Sequence, residues 1–263
     1  MTGYYEPDER GRQKPESLYG ATKMWAHLRR QGIPVARCTV ERLMRRHGWQ
    51  GLRRTRRVRT TVADPAARRA ADLVDRQFSA AAPNRLFVAD FTYVRVQTGF
   101  VYAAFVVDAF AGTIVGWQVS GTANTALVDR ALADGLETRR RQGHPVSGGT
   151  VHHSDAGTQY TSVAFGQQLQ EAGIQPSIGS VGDAYDNALA ETTIGLYKTE
   201  CIQAGSPFHN GLASIGEVEL ATAEWAHWYN TARLMHRLGR RPPLEAEADY
   251  YAEHPADQPV AHT

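Results

Sequence analysis

Residues 86–94 read Leu-Phe-Val-Ala-Asp-Phe-Thr-Tyr-Val, an apolar, strand-like run with a carboxylate at its centre. Alternate residues of a strand share a face, so Leu86, Val88, Asp90, Thr92 and Val94 point one way and Phe87, Ala89, Phe91 and Tyr93 the other. Asp90 therefore takes an apolar position on a sheet face, where a charge is costly unless a cation compensates it. Two further acids sit in comparable places. Asp155 ends a second strand-like run, Thr150-Val-His-His-Ser-Asp155, and Glu191 lies on a helix-like stretch, Asp186-Asn-Ala-Leu-Ala-Glu191, with 35 residues between the two acids. Converging, the three would make an all-oxygen site for Mg²⁺ or Mn²⁺, suited to phosphodiester chemistry on nucleic acid. Asp-Ala-Gly-Thr after Ser154 is equally ordinary turn material. Asp108, at the end of another strand-like run, reads as a turn residue.

With 263 residues, 42 % hydrophobic and 21 % charged, the chain has the make-up of a folded protein of one large or two ordinary domains. It contains no apolar run of about 18 residues and its first residues lack a signal-peptide core, so a cytoplasmic location without a membrane is expected. Cys38 and Cys201 are too far apart for a zinc site or a disulfide framework and are expected to be packing residues. Charge is segregated. Residues 23–69 carry fourteen Lys/Arg and two acids, and the rest of the chain carries 15 basic and 25 acidic residues. A basic block beside an acidic body points to phosphate binding by the block.

Residues 1–16 are polar and aperiodic, and no order is expected there. Residues 17–52 read as a helix-turn-helix-like DNA-binding segment. Its first helix has Leu18, Ala21, Met24, Trp25 and Leu28 on one face and stops near Gly32. The second starts near Thr39 and packs Val40, Leu43, Met44 and His47, with Arg37, Arg42, Arg45 and Arg46 opposite. Residues 53–83 form a basic linker whose Arg53, Arg54, Arg56, Arg57 and Arg59 are expected to lie along phosphates. The second domain, 84–250, predicts strands at 86–96, 100–107 and 113–120, a helix carrying Leu127 to Leu136, a strand at 150–153, a helix at 164–172, a strand at 174–178, the Glu191 helix and a helix at 218–230. That order predicts an α/β fold, a ribonuclease-H-like mixed five-stranded sheet flanked by helices. Little structure is expected beyond Pro242-Pro243, and 251–263 is a tail. Lys198, two helical turns after Glu191, could meet a phosphate beside that acid. His152 and His153 lack partners at zinc-ligand spacing, and His153 is an accessory candidate near Asp155.

Assembled, these residues resemble the integrase catalytic core of insertion-sequence transposases, above all the OrfB half of the insertion-sequence-three family, relatives of retroviral integrase. The resemblance covers residues 17 to about 250. It is carried by the run from Leu86 to Val94, Gly99-Phe-Val-Tyr102, Ile114-Val-Gly-Trp117, His152-His-Ser-Asp-Ala-Gly157, Gln159-Tyr-Thr-Ser162, Gly179-Ser-Val-Gly-Asp-Ala-Tyr-Asp-Asn-Ala188 and Gly195-Leu-Tyr-Lys-Thr-Glu200. Tyr19-Gly20 and Val35-Ala-Arg-Cys-Thr-Val-Glu-Arg-Leu-Met44 extend it into the helical segment. It implies a catalytic, metal-binding triad of Asp90, Asp155 and Glu191 holding two Mg²⁺ ions, for which Mn²⁺ can substitute. It implies a basic partner at Lys198 and a DNA-touching loop at Tyr185, Asp186 and Asn187. The activity it implies is cutting of element ends and transfer of the 3′-OH to target DNA, by a homo-oligomer assembled on inverted-repeat ends in a bacterial nucleoid. An OrfA partner or fusion is also expected, because OrfA supplies the family's other helix-turn-helix and a coiled coil. The alternative is a partner-dependent DNA-binding OrfB product that regulates transposition without cutting.

Overall fold

A computed structural model of the chain describes residues 1–52, 71–74, 78–179 and 187–255. Helices α1 (Ala21–Arg30) and α2 (Arg37–Arg46) form the helical hairpin. Gly32, at φ 76°, supplies the left-handed residue that ends α1. The Trp25 indole donates to the Val35 carbonyl at 2.9 Å and pins the turn. Met24, Leu28, Val40 and Met44 are buried, while His47 is exposed and stacks on Trp49 at 4.5 Å. Cys38 is exposed rather than packed; Cys201 is buried. Residues 1–16, for which the sequence predicts no order, include a short 3-10 turn at Thr2–Tyr4, and Tyr5 is buried in a parallel stack on Trp49 at 4.3 Å. Tyr4 adds a second hold, its hydroxyl donating to Gln31 Oε1 at 2.6 Å, so aromatic anchors order a segment whose average composition is polar.

The second domain is built on β1 (Leu86–Val96), β2 (Gly99–Asp108) and β3 (Thr113–Ser120), an antiparallel meander. Then follow α3 (Thr125–Arg141), β4 (Val151–Ser154), α4 (Val163–Glu171), β5 (Gln175–Ile178), α5 (Ala188–Tyr197), a π turn at Lys198–Ile202, α6 (Ile215–Thr231) and α7 (Pro243–Glu253). β4 and β5 join parallel to β1, giving the order β3-β2-β1-β4-β5. The fold is the mixed five-stranded, ribonuclease-H-like sheet that the element order predicts.

Alternation along β1 splits the core in two. Val88, Val94 and Phe105 pack with Ile194 of α5 and Trp225 of α6 on one face. Phe87, Ala89 and Val106 pack with Leu132 of α3 and Phe165 of α4 on the other. Gly116 lets α3 lie flush on β3, because a Cβ there would stand 2.1 Å from the Ala131 carbonyl oxygen and 2.6 Å from the Gly135 nitrogen. Both are backbone atoms and cannot swing aside. Gly116→Ala is therefore expected to lift α3 and cost about 1–3 kcal/mol or more, read as a lowered urea midpoint; an unchanged midpoint would refute the close packing. The β3 edge is closed by Asn230, whose amide donates to the Ile114 carbonyl at 2.8 Å and accepts from its N–H at 2.9 Å, as a neighbouring strand would.

Two expectations change at the opposite end of the sheet from Asp90. Asp108 does serve its turn, accepting from Asn84 N at 2.7 Å and Phe110 N at 3.0 Å. It is also fully buried and paired with the buried Arg139 at 2.7 Å. Burial pushes its carboxyl up to about 6, with Arg139 opposing the rise and Glu247 adding to it. The chain beyond Pro242-Pro243 is a helix rather than weak structure. α7 carries Glu247, which meets Arg139 at 2.6 Å and accepts from the Thr113 hydroxyl at 2.6 Å. Pro243 starts the helix, where a missing N–H costs nothing.

The two domains are joined by polar and aromatic contacts. The Tyr19 hydroxyl donates to the Ala232 carbonyl at 3.2 Å and accepts from Leu234 N at 3.1 Å. Beneath it, the Arg233 guanidinium grips the Glu200 carboxylate through two bonds of 2.6 and 2.8 Å.

Candidate active site and nucleic-acid face

Pairing between the parallel strands β1 and β4 ends at Ala89 opposite Ser154. The next residue on β1 is Asp90 and the next after β4 is Asp155, so the register carries two carboxylates to neighbouring positions where the ladder stops. The chain turns there because Asp155 Oδ1 accepts from Gly157 N at 3.0 Å. A Cβ on Gly157 would lie 2.9 Å from that same oxygen, so a larger residue would push the carboxylate aside. Ser162 then caps α4 by accepting from Phe165 N at 3.2 Å.

The third acid arrives on α5. Asn187 is buried, and its side-chain amide donates to the Ala89 carbonyl at 2.8 Å, one residue before Asp90. Glu191 N donates to the Asn187 carbonyl at 3.0 Å, which puts Glu191 in the first turn of the tethered helix.

The electrostatics link the three acids. Burial raises the Asp155 carboxyl above its ordinary value; the Gly157 N–H opposes the rise and the charge of Glu191 adds to it. The Tyr160 hydroxyl is pushed far up, first by burial and then by the charges of Asp90 and Asp155. Among the described residues no three His, Cys, Asp or Glu side chains are gathered into a group that could hold a metal ion. The donor chemistry nevertheless fits a hard divalent cation: three carboxylates, no sulfur, and an Asp155 whose raised affinity for protons a positive charge would reverse.

The histidines are both buried. His153 Nδ1 lies 2.9 Å from Ser177 Oγ of β5, its ring edge-on to Phe78 at 5.6 Å, and its charge lowers the Asp155 carboxyl. His152 packs against Phe165 and Tyr160 on the other face. Burial, and then the neighbouring His153, pushes His152 down to about 3. Its folded value is depressed, so its contribution to stability is present above about pH 6.5 and is lost as pH falls toward 3. Urea unfolding from pH 7 to 4 is expected to show the wild type losing up to about 1.4 kcal/mol per pH unit more than His152→Gln. Parallel pH profiles would contradict it.

The nucleic-acid candidates divide. Arg37, Arg42, Arg45 and Arg46 are all exposed on α2, with Arg37 paired to Glu41 at 2.9 Å. Arg53, Arg54, Arg56, Arg57, Arg59, Tyr185 and Asp186 lie outside the described residues. Asn187, expected to touch DNA, is a buried tether between α5 and β1, because the Ala89 carbonyl gives its amide a partner. Lys198 is exposed at the start of the π turn, its Nζ 4.8 Å from the centre of the Tyr93 ring. Tyr160 was not singled out from the sequence; its signal is its place in Gln159-Tyr-Thr-Ser162, close behind Asp155.

The fold defines a ribonuclease-H-like integrase core joined to a helix-turn-helix-like domain. Two families described as Integrase core domain match, one at residues 80–184 and the other at 172–243, and the HTH-like domain family matches residues 10–57. The protein assigned as transposase of insertion sequence element IS986/IS6110 in Mycobacterium tuberculosis is 53 % identical over 236 residues, covering 90 % of this chain and 84 % of the relative. The transposase for insertion sequence element IS629 of Shigella sonnei is 52 % identical over 235 residues, covering 89 % and 75 %. Transposase InsF for insertion sequence IS3A of Escherichia coli K12 is 31 % identical over 195 residues, covering 72 % and 64 %. A chain in the simian T-cell lymphotropic virus intasome in complex with PP2A regulatory subunit B56 gamma shares the fold, with a TM-score of 0.52 at 14 % identity over 89 % of this chain and 74 % of that one. The chain belongs to the insertion-sequence-three family of transposases, as an OrfB-type protein bearing the integrase core. No helix among the described residues is long and apolar enough to cross a membrane.

Proposed function

We propose that this transposase cuts the ends of its insertion sequence and joins the freed 3′-OH to target DNA, with Asp90, Asp155 and Glu191 as the reaction centre. The observation that supports it best is the convergence of Asp90 and Asp155 at the end of the β1–β4 ladder, with Glu191 close enough to raise the Asp155 carboxyl. The three carboxylates would hold Mg²⁺, two ions in the full reading, which when bound would supply Lewis-acid activation of the attacking oxygen and stabilisation of the leaving one. The chain's own residues prepare that site. Gly157 aims the Asp155 carboxylate, and Asn187 fixes the Glu191 helix to β1. Lys198, seven residues beyond Glu191, would meet a phosphate of the same DNA strand. Arg37, Arg42, Arg45 and Arg46 supply phosphate affinity from α2, in a homo-oligomer that brings two element ends together.

A nicking and strand-joining assay on labelled inverted-repeat DNA tests this reading. Product is expected with Mg²⁺ or Mn²⁺ and none after chelation. DNA binding without product under every metal condition would overturn the chain as a self-sufficient enzyme and place the activity in an assembly with an OrfA partner. The α2 arginines carry their own prediction. Arg42→Ala combined with Arg45→Ala should weaken DNA binding and flatten the plot of log affinity against log salt by about 1.8. An unchanged slope would remove α2 from the phosphate interface.

A further inference from the structure

Two large exposed aromatic side chains meet on the β1–β2 hairpin, farther along β1 than Asp90. Tyr93 is 42 % exposed and Phe100 54 % exposed. Their rings stand edge to face, 5.5 Å apart and at 87°. The Lys198 ammonium sits 4.8 Å from the centre of the Tyr93 ring. Arg95, also exposed, is the cross-strand partner of Phe100. Tyr93 and Arg95 follow Phe87 and Ala89 on one side of β1, but the helices that cover Phe87 and Ala89 do not bury them. Exposing this much aromatic surface to water is unfavourable unless something covers it.

The patch is tied to the site through both elements that carry acids. Tyr93 lies three residues along β1 from Asp90, about 10 Å at strand rise and on the other face of the strand, past Ala89 where the pairing with β4 ends and leaves β1 an edge. Lys198 lies seven residues beyond Glu191, about 10 Å at helical rise. Consecutive phosphates of a stacked strand are about 3.4 Å apart along its axis, so the patch is a few nucleotides from a strand held at the acids. Its chemistry is that of a nucleotide: ring faces for a base, and cations on both sides for the flanking phosphates.

We infer that Tyr93 and Phe100, flanked by Arg95 and Lys198, form a stacking platform for an unpaired nucleobase of the DNA strand held at the acids. A paired base presents no free face, so the platform discriminates an opened DNA end from intact duplex. The inference rests on the proposed reading that DNA is held at Asp90, Asp155 and Glu191.

The test uses the full chain and two DNA duplexes, one fully paired and one with three unpaired nucleotides at a 3′ end carrying 2-aminopurine. Stacking is tolerant of sequence, so neither duplex needs the element's own ends. The wild type is expected to quench 2-aminopurine fluorescence and to bind the opened duplex more tightly. Tyr93→Ala with Phe100→Ala should lose the quenching and about fivefold or more in affinity for the opened duplex, the lower end of what a stacked base contributes, with paired-duplex binding unchanged. Tyr93→Phe with Phe100→Tyr keeps both rings and should restore quenching, which separates stacking from any folding defect. Equal quenching by the wild type and the alanine variant overturns the platform while leaving the DNA reading intact. An alanine variant that binds both DNAs normally but sediments as a smaller species also overturns it and assigns the patch to contacts between copies. A wild type that binds neither duplex overturns both the platform and the reading beneath it.

Discussion

Glu191→Gln is expected to leave the protein folded and DNA-bound but with almost no nicked or joined product, a fall of about 10³-fold, the upper end of the range for losing one fixed electrostatic group from an active site. The substitution is nearly isosteric. It keeps the Glu191 N–H on the Asn187 carbonyl and the Asn187 amide on Ala89, so α5 should stay where it is. Thermal stability should change little, as for a half-buried position with its backbone contacts intact. The change has a second readout without turnover. Glu191's charge is one of the causes that raise the Asp155 carboxyl, so in the variant that carboxyl should titrate at lower pH, observable by NMR. Retention of even a tenth of wild-type product would remove Glu191 from the reaction centre. Unaltered Asp155 titration would mean the two carboxylates do not share a site.

Arg139→Met is expected to be the most damaging single change outside the acids. It leaves Asp108 and Glu247, buried at 0 % and 3 % exposure, facing each other without their cation. Breaking a buried ion pair by removing one partner costs about 3–5 kcal/mol, and here two carboxylates are stranded. Against a total stability of roughly 5–15 kcal/mol, the variant should be largely unfolded at moderate urea or unrecoverable in soluble form. Losing Glu247's partner should also free α7, since that helix reaches the sheet through Arg139 and Thr113. Urea unfolding with a far-UV signal checks the size of the loss. The combined variant Arg139→Met, Asp108→Asn, Glu247→Gln removes all three charges and should recover part of it. A single Arg139→Met variant within about 1 kcal/mol of wild type would refute the triad's role.

Most of the sheet was legible because strand alternation and helical periodicity are local. β1 and β3 fall at the residues their patterns predict, and the split of β1 into two apolar faces follows from its alternation alone. Asp90 was legible as a candidate for a related reason: a carboxylate inside an apolar strand contradicts its surroundings, and that contradiction is written in the sequence. What could not be read was which polar residues the fold takes inside. Asn187 looks like loop material, and only the approach of α5 to the Ala89 carbonyl makes it a tether.

Arg139, Arg140 and Arg141 show the same division within one turn of helix. Spacing puts Arg139 on the stripe of Val128, Leu132 and Gly135, so the phase of α3 already aims it inward. Its side chain is fully buried, while those of Arg140 and Arg141 are 67 % and 74 % exposed. Phase alone does not bury a guanidinium, because its desolvation must be offset by opposite charge. That charge comes from the end of β2 and from α7, elements far apart in the chain. The sequence by itself determined the five strands, most of the helices, their faces and the unusual place of Asp90, since each depends on neighbours within a few residues. Tertiary structure alone decided that Asp90 and Asp155 fall at neighbouring positions where the β1–β4 ladder ends, that Asn187 is a strut and that α7 is held down by a buried ion triad. Each of those depends on the free energy of burying charge or amide against a partner supplied by another part of the chain.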